Sequence, residues 1–366
     1  MRILTVNAGS TSLKIERYDL SAPLPPIASP PKPDYAAEPP ANDADTEAAL
    51  RDAIGSGVDA VAHRFVQLPD AASSVFALDD TALARIKAVA EEDPLHDAAA
   101  LGAVDTVKRV APHVPQFGLS DSAFHRTMPP AATTYALPRE LVGDHLHRIG
   151  YHGLSHEYAA YRACALLNLD VARTRVVTAH LGGGSSLCAV RNGESIDTTM
   201  GYTALEGVPM ATRSGSIDPG LILRFLRNGM SPDELADTLE RRSGLLGISG
   251  RSGDVRDLSA AAAGGDLPAA LALDVLAWRV RAALGAMIAV LGGVDVIAFT
   301  GGIGEHAAPI RASILEGGLG IGAALDQQRN VASGEGRLDA STSTTALVVV
   351  AARENWQLAR LVAARP

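Results

Sequence analysis

Lysine, aromatic residues and cysteine are all scarce in this 366-residue chain. Of its 32 basic residues only Lys14, Lys32, Lys87 and Lys108 are lysine, and the net charge is −9. Such a chain lacks the broad basic footprint that nucleic acid requires, although a locally basic pocket remains open to it. Phenylalanine, tryptophan and tyrosine make up 4% of residues, so any core is built from Ala, Val, Leu and Ile. The two cysteines, Cys164 and Cys188, stand in apolar contexts without metal-like spacing. They read as buried free thiols in a reducing compartment rather than as a disulfide. No pair of histidines carries the full pattern of a helical zinc site such as HExxH, glutamate included. No apolar run reaches the roughly 18 residues of a membrane span. Val275 to Val294 comes nearest, and Trp278, Arg279 and Arg281 interrupt it. The first strand begins at residue 3, which leaves no room for a signal peptide, so a soluble cytoplasmic protein without membrane contact is expected.

What the chain does have is enough apolar residue, 47%, to fill two cores of ordinary domain size. Residues 21–41 are rich in proline and alanine and read as a surface loop. From Thr46 the pattern is α/β: helices near 46–55, 79–92 and 97–110, and strands at Val58–Phe65 and Gln116–Leu119. A helix from Ser155 to Leu167 then leads to a strand at Arg175–Ala179. There the opening of the chain returns: RILTVNAGSTSLKI is echoed by RVVTAHLGGGSSLCAV, with Asn7 against His180, Gly9 against Gly182 and Leu13 against Leu187. One repeat at about half the chain length means a duplicated domain rather than a solenoid, which needs several copies at short period. Asn192-Gly193, inside RNGESIDTTMG, marks a tight hairpin in the second copy.

Each copy runs a β-branched strand into a Gly/Ser turn. Small residues there let backbone N–H groups approach an anion closely, and Ser10, Thr11, Ser12 and Lys14 add hydroxyls and a charge. Neither turn fits GxxxxGK[ST], and no GxGxxG opens a helix after a strand, so this is neither a P-loop nor a dinucleotide fingerprint. A third glycine cluster, FTGGIGEH, follows a strand at Asp295–Ala298 and precedes a helix, a place where a nucleotide meets backbone. The stretch SGLLGISGRSGDVRDL fits a base- or ribose-binding loop and fits an ordinary helix cap equally well. Arginine and histidine concentrate in AHRFVQ, DPLHDAAAL, SDSAFHRTMPP, RIGYHGLSH and GVPMATRSGSIDPG. Together with three glycine turns they favour an anionic active site.

NAGSTSLK at 7–14, DPLHD at 93–97, SDSAFHRTMP, YHGLSH at 151–156, HLGGGSS at 180–186, DTTMGYTALEGVPMATRSGSIDPG, SGLLGISGRSGDVRDL and FTGGIGEH run in one order across nearly the whole chain. In this the chain resembles the acetate kinases, the acetokinase branch of the actin, hexokinase and heat-shock ATPase superfamily. The resemblance implies an α/β fold of two duplicated, ribonuclease H-like ATPase domains flanking a cleft. Its expected boundaries are 1–147 with the C-terminal helix 355–366 for the first domain and 148–354 for the second, which carries most of the nucleotide site. It further implies MgATP, reversible phosphoryl transfer to a short-chain carboxylate, and a homodimer. On the same ground Asn7, Asp121 and Glu354 would hold Mg²⁺. Arg64 and Arg213 would grip carboxylate and phosphoryl, with His152, His180 and His96 around the transition state. Ser10, Ser12, Lys14, Gly182, Gly183, Gly184, Asp254, Val255, Arg256, Gly301, Gly302, Ile303 and Gly304 would line the nucleotide. Val66, Leu95, Tyr151 and Ala204 would form the acyl pocket.

A carboxylate acceptor, with a pKa of roughly 4, is ionised at neutral pH and needs no general base, unlike the hydroxyl of a sugar. Asp121 therefore reads as a metal or positioning group. Six positions depart from the family's pattern: Gln67-Leu68-Pro69 replaces HGG, Asp97 and His306 replace asparagines, and Gly183 takes the place of an asparagine in the second turn. They leave open a different acid, a pyrophosphate donor, or a catalytically weakened nucleotide-binding regulator. Tyr151 and Ala204 stand where phenylalanine and proline are usual, and imply a pocket wide enough for propionate or a slightly larger or more polar acid.

Overall fold

The computed structural model describes the chain except residues 9–12, 21–26, 28–29, 40–42, 56, 67–73, 91–93, 144–145, 333 and 366. Ser10, Ser12, the Gln67-Leu68-Pro69 stretch and the side chains of Leu95 and His96 lie outside the described residues. Two compact units emerge: Met1–Phe124 with Gly153–Tyr158 and Arg353–Pro366, and His125–His152 with Ala159–Ala352.

The first unit is built on strands β1 (Arg2–Ala8), β2 (Leu13–Asp19), β3 (Tyr35–Ala37), β4 (Ala60–Phe65), β5 (Val75–Ala77) and β6 (Gln116–Ser120). Their order is β3-β2-β1-β4-β6-β5. β1 and β2 form an antiparallel hairpin that sets Asn7 opposite Lys14, whereas β1, β4 and β6 run parallel. Ile3, Leu4, Thr5 and Val6 are all buried, because β1 lies in the middle of the sheet, between antiparallel β2 and parallel β4, and is covered by helices. Leu4, Val6, Leu13 and Ile15 pack with Leu50 and Ala53 of helix Asp43–Gly55 and with Ala103 and Val107 of helix Pro94–Val110. Helix Glu354–Ala363 also lies on β1, with Trp356, Leu358, Ala359 and Val362 fully buried and Trp356 tilted against Tyr18 at 5.6 Å. The proline-rich stretch is not loop throughout. Tyr35–Ala37, between Pro33 and Pro39, pairs with β2 as the sheet edge, where missing proline N–H groups cost no ladder bonds.

The second unit repeats the plan with β7 (Arg175–Leu181), β8 (Ser185–Arg191), β9 (Glu194–Thr198), β10 (Val296–Thr300), β11 (Gly336–Arg337) and β12 (Ala346–Val349). Read from its far edge the order is β9-β8-β7-β10-β12-β11, the same path as the first sheet. β7 and β8 form the hairpin, and β7, β10 and β12 run parallel. The duplication expected from the echo is thus present, with Asn7 and His180 each five residues after the arginine that opens its strand. Asn192 and Gly193 take φ of 58° and 80°, the left-handed pair that a two-residue turn between twisted strands requires. Helix Leu267–Leu291 buries Leu276, Val280 and Leu284 and ends at Gly292 in the left-handed conformation. Among the described residues no helix is long and apolar enough to cross a membrane.

A histidine lies among the core residues of the first sheet. His63 on β4 is fully buried, its Nε2 2.8 Å from Gln116 Oε1, and burial pushes its pKa from 6.5 down to about 4. The folded protein therefore keeps this ring neutral where the unfolded chain protonates it. Its contribution is level above about pH 6.5 and destabilising below, growing to roughly 3 kcal/mol as pH falls to about 4. Urea unfolding of the wild type and of His63→Gln at pH 7 and pH 4.5 is expected to show the smaller acid-side loss in the variant; equal losses would refute this role.

Candidate functional site

Ligands of open α/β sheets bind beyond the carboxyl ends of parallel strands, and in the first unit the candidate residues collect there. Asn7 ends β1, Arg64 lies near the end of β4, and Asp121 directly follows β6. Arg64 Nη2 donates to Asp121 Oδ2 at 2.8 Å and its Nη1 reaches Asn7 Oδ1 at 3.4 Å. Asn7 Nδ2 in turn donates to Glu354 Oε2 at 2.9 Å, closing a set drawn from positions 347 apart in sequence. Lys14 is exposed opposite Asn7, and its carbonyl meets Asn355 Nδ2 at 3.5 Å.

Asp121 is the anchor of this set. Its side chain is 1% exposed and that of Arg64 is 16% exposed. The first turn of helix Gly153–Leu167 presses on it: Gly153 N–H donates to the Asp121 carbonyl at 2.7 Å and Leu154 N–H to Oδ1 at 3.4 Å. A Cβ at position 153 would lie 2.2 Å from that carbonyl oxygen, so only glycine fits. The carboxylate thus faces a guanidinium and a helix N-terminus, two environments that favour its charged form.

The second unit gathers a different set. His152 and His180 stack at 4.3 Å with planes 26° apart, and His152 Nδ1 is 2.9 Å from Ser186 Oγ. The β7–β8 turn lies against them. A Cβ on Gly184 would stand 3.2 Å from the His152 ring and 3.7 Å from Arg213 Nη1, and one on Gly182 would stand 3.6 Å from His180 Nε2. Gly183 accepts from Ala211 N–H at 3.2 Å, which ties the turn to the loop of Arg213. A Cβ at Gly183 would meet nothing within 4 Å, so the absence of a side chain there answers no packing demand.

The remaining candidates are dispersed over this unit. FTGGIGEH follows a strand and precedes helix Ala308–Leu315 as expected, but β10 runs on to Thr300 and Gly301–His306 is itself helical. Gly301 makes this abrupt change possible, with φ of 77° and room for a Cβ only 2.7 Å from the Leu181 carbonyl oxygen. Gly302 and Gly304 lie in this short helix, and Ile303 packs against the core. Asp254 caps helix Val255–Ala263, accepting from Arg256 N–H at 2.8 Å, and the Arg256 guanidinium folds onto the same carboxylate. That pairing holds the Asp254 carboxyl well below the usual carboxylate range. Val255 is buried in the core, leaving its main chain on offer. Tyr151 is buried and donates its hydroxyl to the Tyr202 carbonyl at 2.6 Å, so the extra proton is already taken. Ala204 in this unit and Val66 in the first are half-buried.

Sequence reasoning passed over two features. Arg311, 2% exposed, donates to the carbonyls of Gly304, Glu305 and Asn330, and so holds the end of the glycine helix. Only its place in an apolar run, APIRASIL, signals it. A cavity of about 700 Å³ lies behind the Arg213 loop, lined among others by Glu206, Ser214, Ser216 and Arg279, and by none of the candidate residues. It stands apart from the chemistry. For a divalent cation, Asn7, Asp121 and Glu354 offer an amide and two carboxylates, hard oxygen donors suited to Mg²⁺ with water and phosphate completing its shell. Among the described residues no three His, Cys, Asp or Glu side chains gather as a metal cage.

Comparison with known proteins gives consistent findings. A family model described as the acetokinase family matches residues 45–360. The acetate kinase of Heliobacterium modesticaldum is 40% identical over 305 residues, 83% of this chain and 77% of the relative. Among solved structures, an acetate kinase from Porphyromonas gingivalis superposes with a TM-score of 0.87 at 29% identity, covering 98% of each chain. A propionate kinase from Francisella tularensis does so with the same score at 32% identity, again over 98% of each.

Proposed function

Since the chain belongs to the acetokinase family, we propose that the two residue sets described above divide the work of moving a phosphoryl group onto a carboxylate. The enzyme is a phosphotransferase with a carboxyl acceptor and reversibly transfers the γ-phosphoryl of ATP to acetate or propionate.

The observation that carries the division of roles is the engagement of Asp121. A kinase for a hydroxyl group needs a free carboxylate to take its proton, whereas a carboxylate with a pKa of roughly 4 arrives without one. Asp121, buried between Arg64 and a helix N-terminus, is engaged in holding Arg64. The difficulty left is bringing two anions together. Arg64 and Arg213 answer it with planar, permanently charged forks that suit carboxylate and phosphoryl oxygens. His152, fixed by Ser186 and backed by His180, donates to the oxygens of the group in flight. Transfer is a direct in-line displacement in which these groups neutralise charge already aligned for reaction. Asn7, Asp121 and Glu354 would hold Mg²⁺, which when bound neutralises phosphate charge. The nucleotide is assigned to the main chain of the β7–β8 turn, the Gly301–His306 helix and the Asp254–Arg256 segment.

Two further proposals concern the surroundings. Helix Pro219–Arg227 exposes Leu221, Leu223 and Leu226, and helix Leu267–Leu291 exposes Leu271 and Trp278. We assign these apolar faces to self-association as a homodimer, and sedimentation equilibrium should return twice the chain mass; a monomer at micromolar concentration would refute it. The buried thiols Cys164 and Cys188, raised in pKa by burial, form no disulfide, which supports a reducing, cytoplasmic setting.

A hydroxamate assay for acyl phosphate tests the assignment of roles. With ATP and acetate the wild type should turn over, and pyrophosphate should not replace ATP. Arg64→Ala and Arg213→Ala should each lower kcat/KM by a factor of about 100 to 1,000, or roughly 3 kcal/mol. Wild-type rates in either variant would remove that arginine from the mechanism. The same assay with a series of acids reads the acyl pocket. Because Ala204 removes volume and the Tyr151 hydroxyl is spent on Tyr202, propionate should fall within about tenfold of acetate, and a hydroxy acid should gain nothing from Tyr151. Ala204→Pro should shift preference towards acetate; a wild type already strict for acetate would overturn the wide pocket.

A further inference from the structure

His152 is held in a conformation that its own sequence does not favour. It is one of few non-glycine residues with positive φ, at φ 57° and ψ 26°, and it caps helix Gly153–Leu167 without a side-chain capping bond. Left-handed backbone costs a non-glycine residue about 1 kcal/mol or more, so its surroundings must over-determine the turn. Two anchors are local: Ile149 and Gly150 donate to the Gly201 carbonyl at 3.1 Å, and the Tyr151 hydroxyl donates to Tyr202. The third comes from His125, 1% exposed in the short helix Ala123–Thr127, whose Nε2 lies 3.0 Å from the Tyr151 carbonyl oxygen.

Chemistry fixes the direction of that bond. A carbonyl only accepts, so Nε2 carries the proton, and in a neutral ring Nδ1 is then an acceptor. Nδ1 lies 2.9 Å from Ser195 Oγ, whose hydroxyl supplies the donor. Ser195 Oγ is in turn 3.3 Å from Cys188 Sγ, and burial keeps that thiol protonated by raising its pKa to about 12. A one-way relay results, Ser195 to His125 to the Tyr151 carbonyl, among residues that are all buried, while the Cys188 thiol beside Ser195 has the Ala189 carbonyl oxygen at 3.7 Å as its own acceptor. The ring also supports the turn by contact. A Cβ on Gly150, which has φ of 78°, would lie 2.7 Å from His125 Cδ2 and equally close to the Thr198 methyl, so the glycine backbone rests on the imidazole. Thr127 Oγ1 donates to the Ser195 carbonyl at 2.7 Å and locks the His125 segment to β9.

We propose that His125, as the neutral Nε2–H tautomer fixed by Ser195, is a positioning residue that sets the Gly150–Tyr151–His152 turn and thereby aims His152 at the transferred phosphoryl group. The inference rests on the role given to His152 above. The Cys188–Ser195–His125 series resembles a nucleophile with its base, but its burial leaves it nothing to attack, and its product is geometry.

Four variants and one spectrum test the proposal. Long-range ¹H–¹⁵N correlation on histidine-labelled wild-type enzyme should show His125 protonated at Nε2 and bare at Nδ1; the opposite tautomer, or an imidazolium at pH 7.5, would overturn it. His125→Phe keeps the ring and loses the donor, and should lower kcat by about tenfold to a hundredfold while KM for acid and nucleotide stays within about threefold. His125→Gln, which restores an N–H near the Nε2 position, should recover most of that loss. Unchanged kcat in folded His125→Phe, or a Gln variant no better than Phe, would refute the positioning role. If the Phe variant fails to fold, Ser195→Ala decides: it frees Nδ1, and should lower kcat without raising KM, an unchanged kcat counting against the proposal. His152→Ala serves as reference. Wild-type kcat in that variant would defeat the reading of His152 itself, while the tautomer of His125 would still be read independently from the spectrum.

Discussion

A buried ion pair between Arg64 and Asp121 is the constraint on which the first unit's chemistry rests. A lone carboxylate at 1% exposure would cost several kcal/mol, and removing either partner of such a pair leaves that cost uncompensated. Placement of the pair follows from the sheet: β4 and β6 are parallel neighbours, so residues at their carboxyl ends emerge side by side. Helix Gly153–Leu167 adds its N-terminus to the same carboxylate, and Gly153 must be glycine for it to come so close. Arg64 then has one nitrogen on Asp121 and another towards Asn7, and through Asn7 the set extends to Glu354. A guanidinium prepared in this way costs little to organise when an anion arrives, and such preorganisation is where electrostatic catalysis gains most.

The two sheets share a path and differ at the place where chemistry occurs. Asn7 and His180 occupy the same position in duplicated strands. In the first unit that position leads to oxygen donors fit for a hard cation, and in the second to stacked imidazoles beside a bare glycine turn. Duplication supplies two sheets of the same strand order, and the residues at their strand ends then differ: oxygen donors in the first and imidazoles in the second. Arg311 shows the price of the glycine-rich elements in the second unit: a short helix with few side chains of its own needs a buried guanidinium to occupy its last carbonyls.

Much of the fold was legible in the chain. The echo between RILTVNAGS and RVVTAHLGGGS announced two equivalent hairpins, and Asn192-Gly193 announced the turn of φ 58° and 80° that follows. The strand and helix positions agree to within a few residues at their ends, where capping rather than periodicity sets the limit. The helix within FTGGIGEH gave no signal of its own because glycine lowers helix propensity, while packing against the end of β7 holds it in place. Tyr35–Ala37 was hidden inside a proline-rich stretch because an edge strand tolerates what a central one does not. The Asp254 segment was undecided between cap and ligand loop, and its capping bond accounts for the aspartate locally.

By itself the sequence determined the local pattern: where strands begin and where glycine permits a left-handed or crowded backbone. These depend on residue type and near neighbours, and a linear reading contains both. Tertiary structure alone decided what each polar group does. Asp121 belongs to Arg64, the Tyr151 hydroxyl to a carbonyl, and His125 to the Tyr151 peptide, because burial and partner identity are set by residues tens to hundreds of positions away. Asn7 and Glu354 meet at 2.9 Å across 347 positions, and no propensity or spacing carries that information; only the assembled sheet with the last helix laid back upon β1 does.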